Sequence, residues 1–280
     1  MRLLDLRSGV ALSRSAGIGV RLFGMVWLDS VRLAGARAGV WPFTVPAVAA
    51  MATLVFDRPV TFLAGENGSG KSTVLEALAV ACGCPSQGGA SNRTLTGPRR
   101  PPHDYSAEWA LATHLTPHWV AKPPGQAFFV RAETFYDVAT KAAAAADPSQ
   151  TASYEDLQLL AAYGGRSPHE FSHGEAFLEL FGGRLTGQAL YFMDEPEAPL
   201  SFRSCLALLV TIRELVDAGT QLIIATHSPV VLAYPDAAIY ELGAWGIERR
   251  AWAETNTVTD LQLFLDAPER HFRHLFTTDD

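Results

Sequence analysis

The chain has 280 residues, 48% of them hydrophobic and 18% charged, with 22 basic against 29 acidic side chains and a formal net charge of −7. That length buries a substantial core without disulfides, and that composition excludes a chain disordered throughout. The acidic balance provides no overall basic field for nonspecific nucleic-acid binding, and no run of about 18 uninterrupted apolar residues exists to span a bilayer as a helix.

At the N-terminal end, Arg2, Arg7, Arg14 and Arg21 interrupt every apolar run, so no secretory h-region forms and Met25 offers a second start. Residues 1–24 therefore read as an optional extension and 25–280 as one domain. Charge is uneven: residues 1–60 carry seven Arg and three Asp, whereas 191–280 carry fourteen acids and six Arg. This leaves a local basic face open beside the plainer reading of a solvated surface. Cys82, Cys84 and Cys205 form no CxxC pair and have no His partners at metal spacing, so a reducing cytoplasm is expected and a zinc site is not.

The first buried strand falls at Val60–Ala64, followed by a glycine loop and a helix over Val74–Val80. From about 85 to 125 the chain turns to Pro, Gly, Ser and Arg, which predicts a loop-rich stretch. A short strand is expected at Phe128–Val130, an Ala-rich helix from Asp137 to Ala146, and a further helical run from Gly174 to Phe181. Two more apolar strands, Ala189–Met193 and Gln221–Ala225, flank a helix from Ser204 to Ala218. Apolar strands without alternation, joined by helical crossovers, predict an α/β fold with a mostly parallel sheet covered on both faces. Leu261, Phe264, Leu265, Phe272, Leu275 and Phe276 have helical spacing around Pro268; packing on the sheet is the plain reading and docking to a partner the sharper one.

Gly65 to Ser72 fits GxxxxGK[ST] between a strand and a helix, the context the pattern demands. Gly65, Asn67, Gly68, Ser69 and Gly70 would turn backbone N–H groups inward around phosphate oxygens, and the helix N-terminus would add partial positive charge. Lys71 would reach the β- and γ-phosphates, Ser72 would give its hydroxyl to Mg²⁺, and Thr73 would support the nearby phosphate. The strand 189–193 ends in Asp194 and Glu195, at the sheet edge where α/β folds bind ligands. Asp194 is expected to hold Mg²⁺, directly or through water, and Glu195 to act as general base on the attacking water. His227, just past the third buried strand, is placed to meet the γ-phosphate.

Taken in order, these pieces resemble the ABC-type ATPase heads. Phe171-Ser172-His173-Gly174-Glu175 looks like the ABC signature, although His173 stands where glycine is usual. The resemblance implies that Ser172, Gly174 and Glu175 of one protomer close over the ATP held by a second. Glu197–Ser201 resembles the D-loop. The wording of 194–201 and 226–229 is closer to the SMC-like chromosome-maintenance and repair branch, and to AAA-like proteins grouped with it, than to transporter ATPases. Segments 41–48, 65–73, 131–135, 163–167, 172–175, 194–201, 223–229 and 267–276 together resemble small bacterial predicted ATPases made of the head alone, over roughly residues 25–280.

The resemblance implies a P-loop NTPase fold with a helical, loop-rich insertion over 85–185. It further implies Mg²⁺-dependent ATP hydrolysis by an ATP-sandwiched homodimer, with a protein or DNA partner. The alternative is a slow-hydrolysing, nucleotide-gated binding module; a transporter subunit fits the signature and D-loop less well. For the Q-loop the candidates are Glu133 and Gln126, with Glu133 chosen as the further metal ligand. Trp41 and Phe43 qualify by position to stack on adenine, core packing being the other use of each.

Overall fold

In the computed structural model, the described residues are 24–35, 39–85, 89–90, 107–120, 122–131 and 188–276. The most buried apolar runs form its centre. Every residue of β3 (Val60–Ala64) and of β8 (Gln221–Thr226) is buried, as are the first four of β7 (Leu190–Asp194). With β6 (Ala127–Arg131) and β9 (Ala238–Gly243) they make five parallel strands, ordered β9-β3-β8-β7-β6. Antiparallel β10 (Gly246–Arg249) and β4 (Gly89–Ala90) complete a seven-stranded sheet at its two edges.

Side chains alternate across this sheet and feed two cores. On one face Leu63, Phe192, Leu190, Ile223 and Ala225 pack with α2 (Lys71–Ala81), α1 (Pro46–Ala50) and a second, antiparallel sheet. That small sheet has the order β2-β1-β5, from Thr53–Val55, Leu28–Leu33 and Leu115–Trp119. On the other face Phe62, Tyr191, Met193, Leu222 and Ile224 pack with α4 (Phe202–Asp217) and α5 (Pro229–Leu232). Helix α4 presents Cys205, Leu208, Ile212, Leu215 and Val216 at helical spacing, and Ser201 caps it by accepting the Ser204 N–H.

Where the sequence predicted loops over 85–125, the described residues form α3 (Ala107–Ala112) and β5. Pro117 lies within β5, which is tolerable because β5 is an edge strand and needs no ladder N–H there. The C-terminal expectation is corrected more sharply. Helices α6 (Asn256–Asp266) and α7 (Pro268–Phe276) form, and Val258 is buried, but the six apolar residues of the expected stripe join neither core of the sheet. Leu263, Leu265 and Leu275 are exposed and Phe276 is 75% exposed, while Phe272 stacks on Phe276 and meets Phe264 edge-on.

One buried amide joins the two sheets. Gln221 Oε1 accepts from the N–H groups of Trp27 and Leu28, both at 2.8 Å, and its Nε2 donates to Leu28 O at 3.0 Å. Three backbone groups thus depend on one side chain far away in sequence. Gln221→Ala should lower the unfolding free energy by about 3 kcal/mol, because buried backbone groups would be left without partners. Urea denaturation checks this, and a loss under about 1 kcal/mol would show that water replaces the amide.

Candidate active site

The loop between β3 and α2 is shaped by its neighbours. Gly65 has φ +139° and a Cβ there would lie 2.4 Å from Leu242 O; Gly70, at φ +97°, would meet Val45 Cγ1 at 2.7 Å. Gly70 is also the N-cap of α2 and offers no side chain, so the first N–H groups of that helix lack a side-chain partner. Such a helix start favours an anion. Lys71, the first helical residue, is buried, and its Nζ donates to Gly65 O at 2.7 Å and Glu66 O at 2.8 Å.

Beside the loop lies a cleft of about 520 Å³. Lys71, Ser72, Thr73, Asn67, Gly68 and Gly70 line it from the loop and α2, and Asp194 and Glu195 from β7. Ser72 Oγ donates to Asp194 Oδ1 at 3.1 Å. Glu195 sits in the left-handed region at φ +46°, uncommon for a residue with a side chain, and its N–H donates to Ala225 O at 2.9 Å. Its Oε1 lies 3.1 Å from His227 Nδ1 and 3.9 Å from Lys71 Nζ. Glu197, buried, accepts a hydrogen bond from Thr226 Oγ1.

Burial dominates the electrostatics. It pulls the Lys71 ammonium below the ordinary lysine pKa against the opposing pull of Glu195, Asp194, Glu197 and Glu66. It pushes the Asp194 carboxyl up, although the Ser72 hydrogen bond and the nearby Arg131 and Lys71 charges hold it down. Glu197 is pushed up in the same way, with Thr226 and its own backbone N–H opposing.

The expected residues are thus largely brought together. Lys71, Ser72, Thr73, Asn67, Gly68, Gly70, Asp194 and Glu195 share the cleft, and His227 bonds to Glu195. Gly65 and Ser69 instead line a groove of about 340 Å³ behind the loop, against Leu242 and Trp245. Trp41 is 57% exposed on the cleft wall, whereas Phe43 is 5% exposed and packs edge-on against His114 in the core. Gln126 precedes β6 and so lies at the end of that strand away from the cleft. Glu133 and the signature residues Ser172, Gly174 and Glu175 lie outside the described residues.

Two cleft residues were missed by sequence reasoning. Arg131 ends β6 directly opposite Asp194, and its guanidinium pairs with Glu76 of α2 while lying 5.1 Å over the Phe129 ring. The strand-end rule that found Asp194 would have found Arg131. Glu76 had its own signal, as the one charge in the apolar run Val74–Ala81 and one helical turn beyond Ser72.

A family model described as an AAA domain matches residues 50–106, a stretch that includes β3, the glycine loop and α2. No curated protein matches the chain. Among solved structures, an ATP-binding cassette of an ABC transporter is 17% identical, over 86% of this chain and 98% of that one, with a TM-score of 0.46. An ATP-binding subunit of an ABC transporter is 19% identical, over 87% and 100%, at 0.44. The SMC head domain from Thermotoga maritima is 13% identical, over 80% and 98%, at 0.43.

The raised Asp194 pKa has a sign that can be tested. A carboxyl whose pKa is higher folded than unfolded costs stability above the folded pKa, and the cost vanishes as the pH falls to the ordinary carboxylate range. Asp194→Asn should therefore melt higher than the wild type at neutral pH without metal or nucleotide, and the gap should close on acidification. Thermal melts across that range decide it; a lower melting temperature for the variant at neutral pH would contradict the assignment.

Proposed function

We propose that this chain is an Mg²⁺-dependent ATPase of the ABC head type, in which two copies close over ATP and hydrolyse it. The observation that carries the reading is the Ser72–Asp194 hydrogen bond beside Lys71 at the start of α2, with the Glu195–His227 pair on the same sheet edge. A hydroxyl and a carboxylate oxygen side by side suit Mg²⁺, which takes few protein ligands and keeps water and phosphate oxygens. When bound, Mg²⁺ would neutralise charge on the phosphate oxygens.

The chain's own groups then have separate tasks. The α2 N-terminus and Lys71 bind phosphate; the two carbonyls that now hold Lys71 are neutral acceptors, and a charged phosphate oxygen outcompetes them. Ser72 and Asp194 orient the metal side of the triphosphate. Glu195 takes a proton from the attacking water, and His227 holds that carboxylate and faces the γ-phosphate. Trp41 offers an exposed ring for the adenine.

His227 is 48% exposed and Glu195 is open to solvent. Chemistry there needs a cover that excludes bulk water, and the segment with Ser172, Gly174 and Glu175, from a second copy, is the cover we propose. The exposed apolar residues of α6 and α7 favour a second reading, a slow nucleotide-gated module that holds a protein or DNA partner. A hydrolysis rate that rises on adding DNA or a partner would favour the module. Among the described residues no helix is long and apolar enough to cross a membrane.

Three measurements test the proposal. Glu195→Gln should keep ATP binding and slow hydrolysis on the order of 100-fold; an unchanged rate would remove Glu195 as the base. The mass of that variant, by light scattering, should double on adding Mg·ATP, and Ser172→Arg should abolish the doubling. Trp41→Ala should weaken ATP binding on the order of tenfold, the size of one lost base–aromatic stack, and an unaltered Kd would send the adenine elsewhere.

A further inference from the structure

His227 projects from the turn between β8 and α5, and its contact with Glu195 cannot by itself fix where the ring points. Both side chains are partly exposed, and solvent screens and loosens a pair of this kind. Behind them lies a buried relay. Glu197 is 6% exposed and accepts from Thr226 Oγ1; Thr226 Oγ1 in turn accepts from the Ser228 N–H at 3.0 Å. Thr226 and Ser228 are the two chain neighbours of His227, so one hydroxyl pins the backbone on both sides of it.

Glu197 does not reach the ring itself. Its Oε1 is 3.9 Å from His227 Nδ1, beyond hydrogen-bond distance. Its other oxygen, Oε2, makes no hydrogen bond among the described residues, and burial disfavours its charge. Burying a carboxyl in this position costs stability, and the hydroxyl bond it accepts is shielded from water. The Glu197 backbone is anchored too, its carbonyl accepting the Leu200 N–H at 2.8 Å. The relay thus runs from the turn after β7 to the turn after β8, and it ties the segment that carries Glu195 to the segment that carries His227.

We propose that Glu197 is a positioning residue that acts through Thr226 to fix the angle at which His227 is presented to the γ-phosphate. This rests on the ATPase reading above. The test is steady-state ATP hydrolysis with Mg·ATP by the full chain and by Glu197→Ala, Glu197→Gln, Thr226→Val, His227→Ala and the Glu197→Ala/His227→Ala double variant, each first checked by melting and ATP binding. Glu197→Ala and Thr226→Val should each lower kcat on the order of tenfold with KM within about twofold, since geometry is lost and binding is not. Glu197→Gln, which still accepts from Thr226, should recover most of the rate. In the His227→Ala background, removing Glu197 should cost nothing further.

Independent, multiplying losses in the double variant would overturn the inference, as would Glu197→Gln being as slow as Glu197→Ala. Should Glu197→Ala not fold, Thr226→Val and Glu197→Gln carry the same comparison. Loss of activity in His227→Ala with full activity in Glu197→Ala defeats the positioning role and leaves the ATPase reading intact. Full activity in His227→Ala defeats the reading of His227 and this inference with it.

Discussion

Parallel pairing in register is the constraint on which this molecule depends. Along the sheet Arg131 stands opposite Asp194, Asp194 opposite Ala225, and Thr226 opposite Ala64, so four strands end on one line. Parallel strands end together only because each crossover returns the chain to the same starting edge, and the burial of β3, β7 and β8 on both faces leaves no other arrangement for such apolar segments. The glycine loop follows one end, the two acids a second and His227 a third. A one-residue slip of β7 against β8 would turn Asp194 away from Ser72, and it would also drive Tyr191 and Phe192 to the wrong faces. The two cores that hold the sheet therefore also hold the chemistry.

That line of strand ends collects charge in a half-dry place. Lys71, Asp194 and Glu197 all have pKa values displaced toward their neutral forms by burial, against the attraction of their neighbours. Attraction between the opposite charges offsets only part of the desolvation, so the cleft is a destabilised part of the fold. On the function proposed above, a phosphate group would give Lys71 a charged partner and Mg²⁺ would give Asp194 one. Stability given up along these strand ends would then be recovered on binding, the usual exchange at functional sites.

The sequence made the centre of the fold legible and left its margins obscure for physical reasons. Strands β3, β7 and β8 are buried on both faces and so read as unbroken apolar runs. Strand β1, by contrast, buries only Leu28 and Val31 of six residues, and β5 carries Pro117, so neither shows a strand period. Trp41 and Phe43 are two residues apart and chemically alike, and only the contact of Phe43 with His114 in the core separates their uses. The helical spacing in α6 and α7 was readable, but what it faces was not: periodicity reports a shared stripe, and a stripe against solvent looks the same as one against a sheet.

The glycine loop shows why its motif is necessary and insufficient. Gly65 and Gly70 are closed in by Leu242 O and Val45 Cγ1, atoms of β9 and of the residue before α1, so their lack of a side chain serves packing against those elements. Around Gly68, at φ +81°, nothing lies within 4 Å of the Cβ position, and there the open space belongs to the cleft. The shape of the loop is thus fixed from behind, by elements that the eight-residue pattern does not contain. A bulkier residue at Val45 would crowd Gly70, so a chain could keep the motif and still lose the shape of the loop.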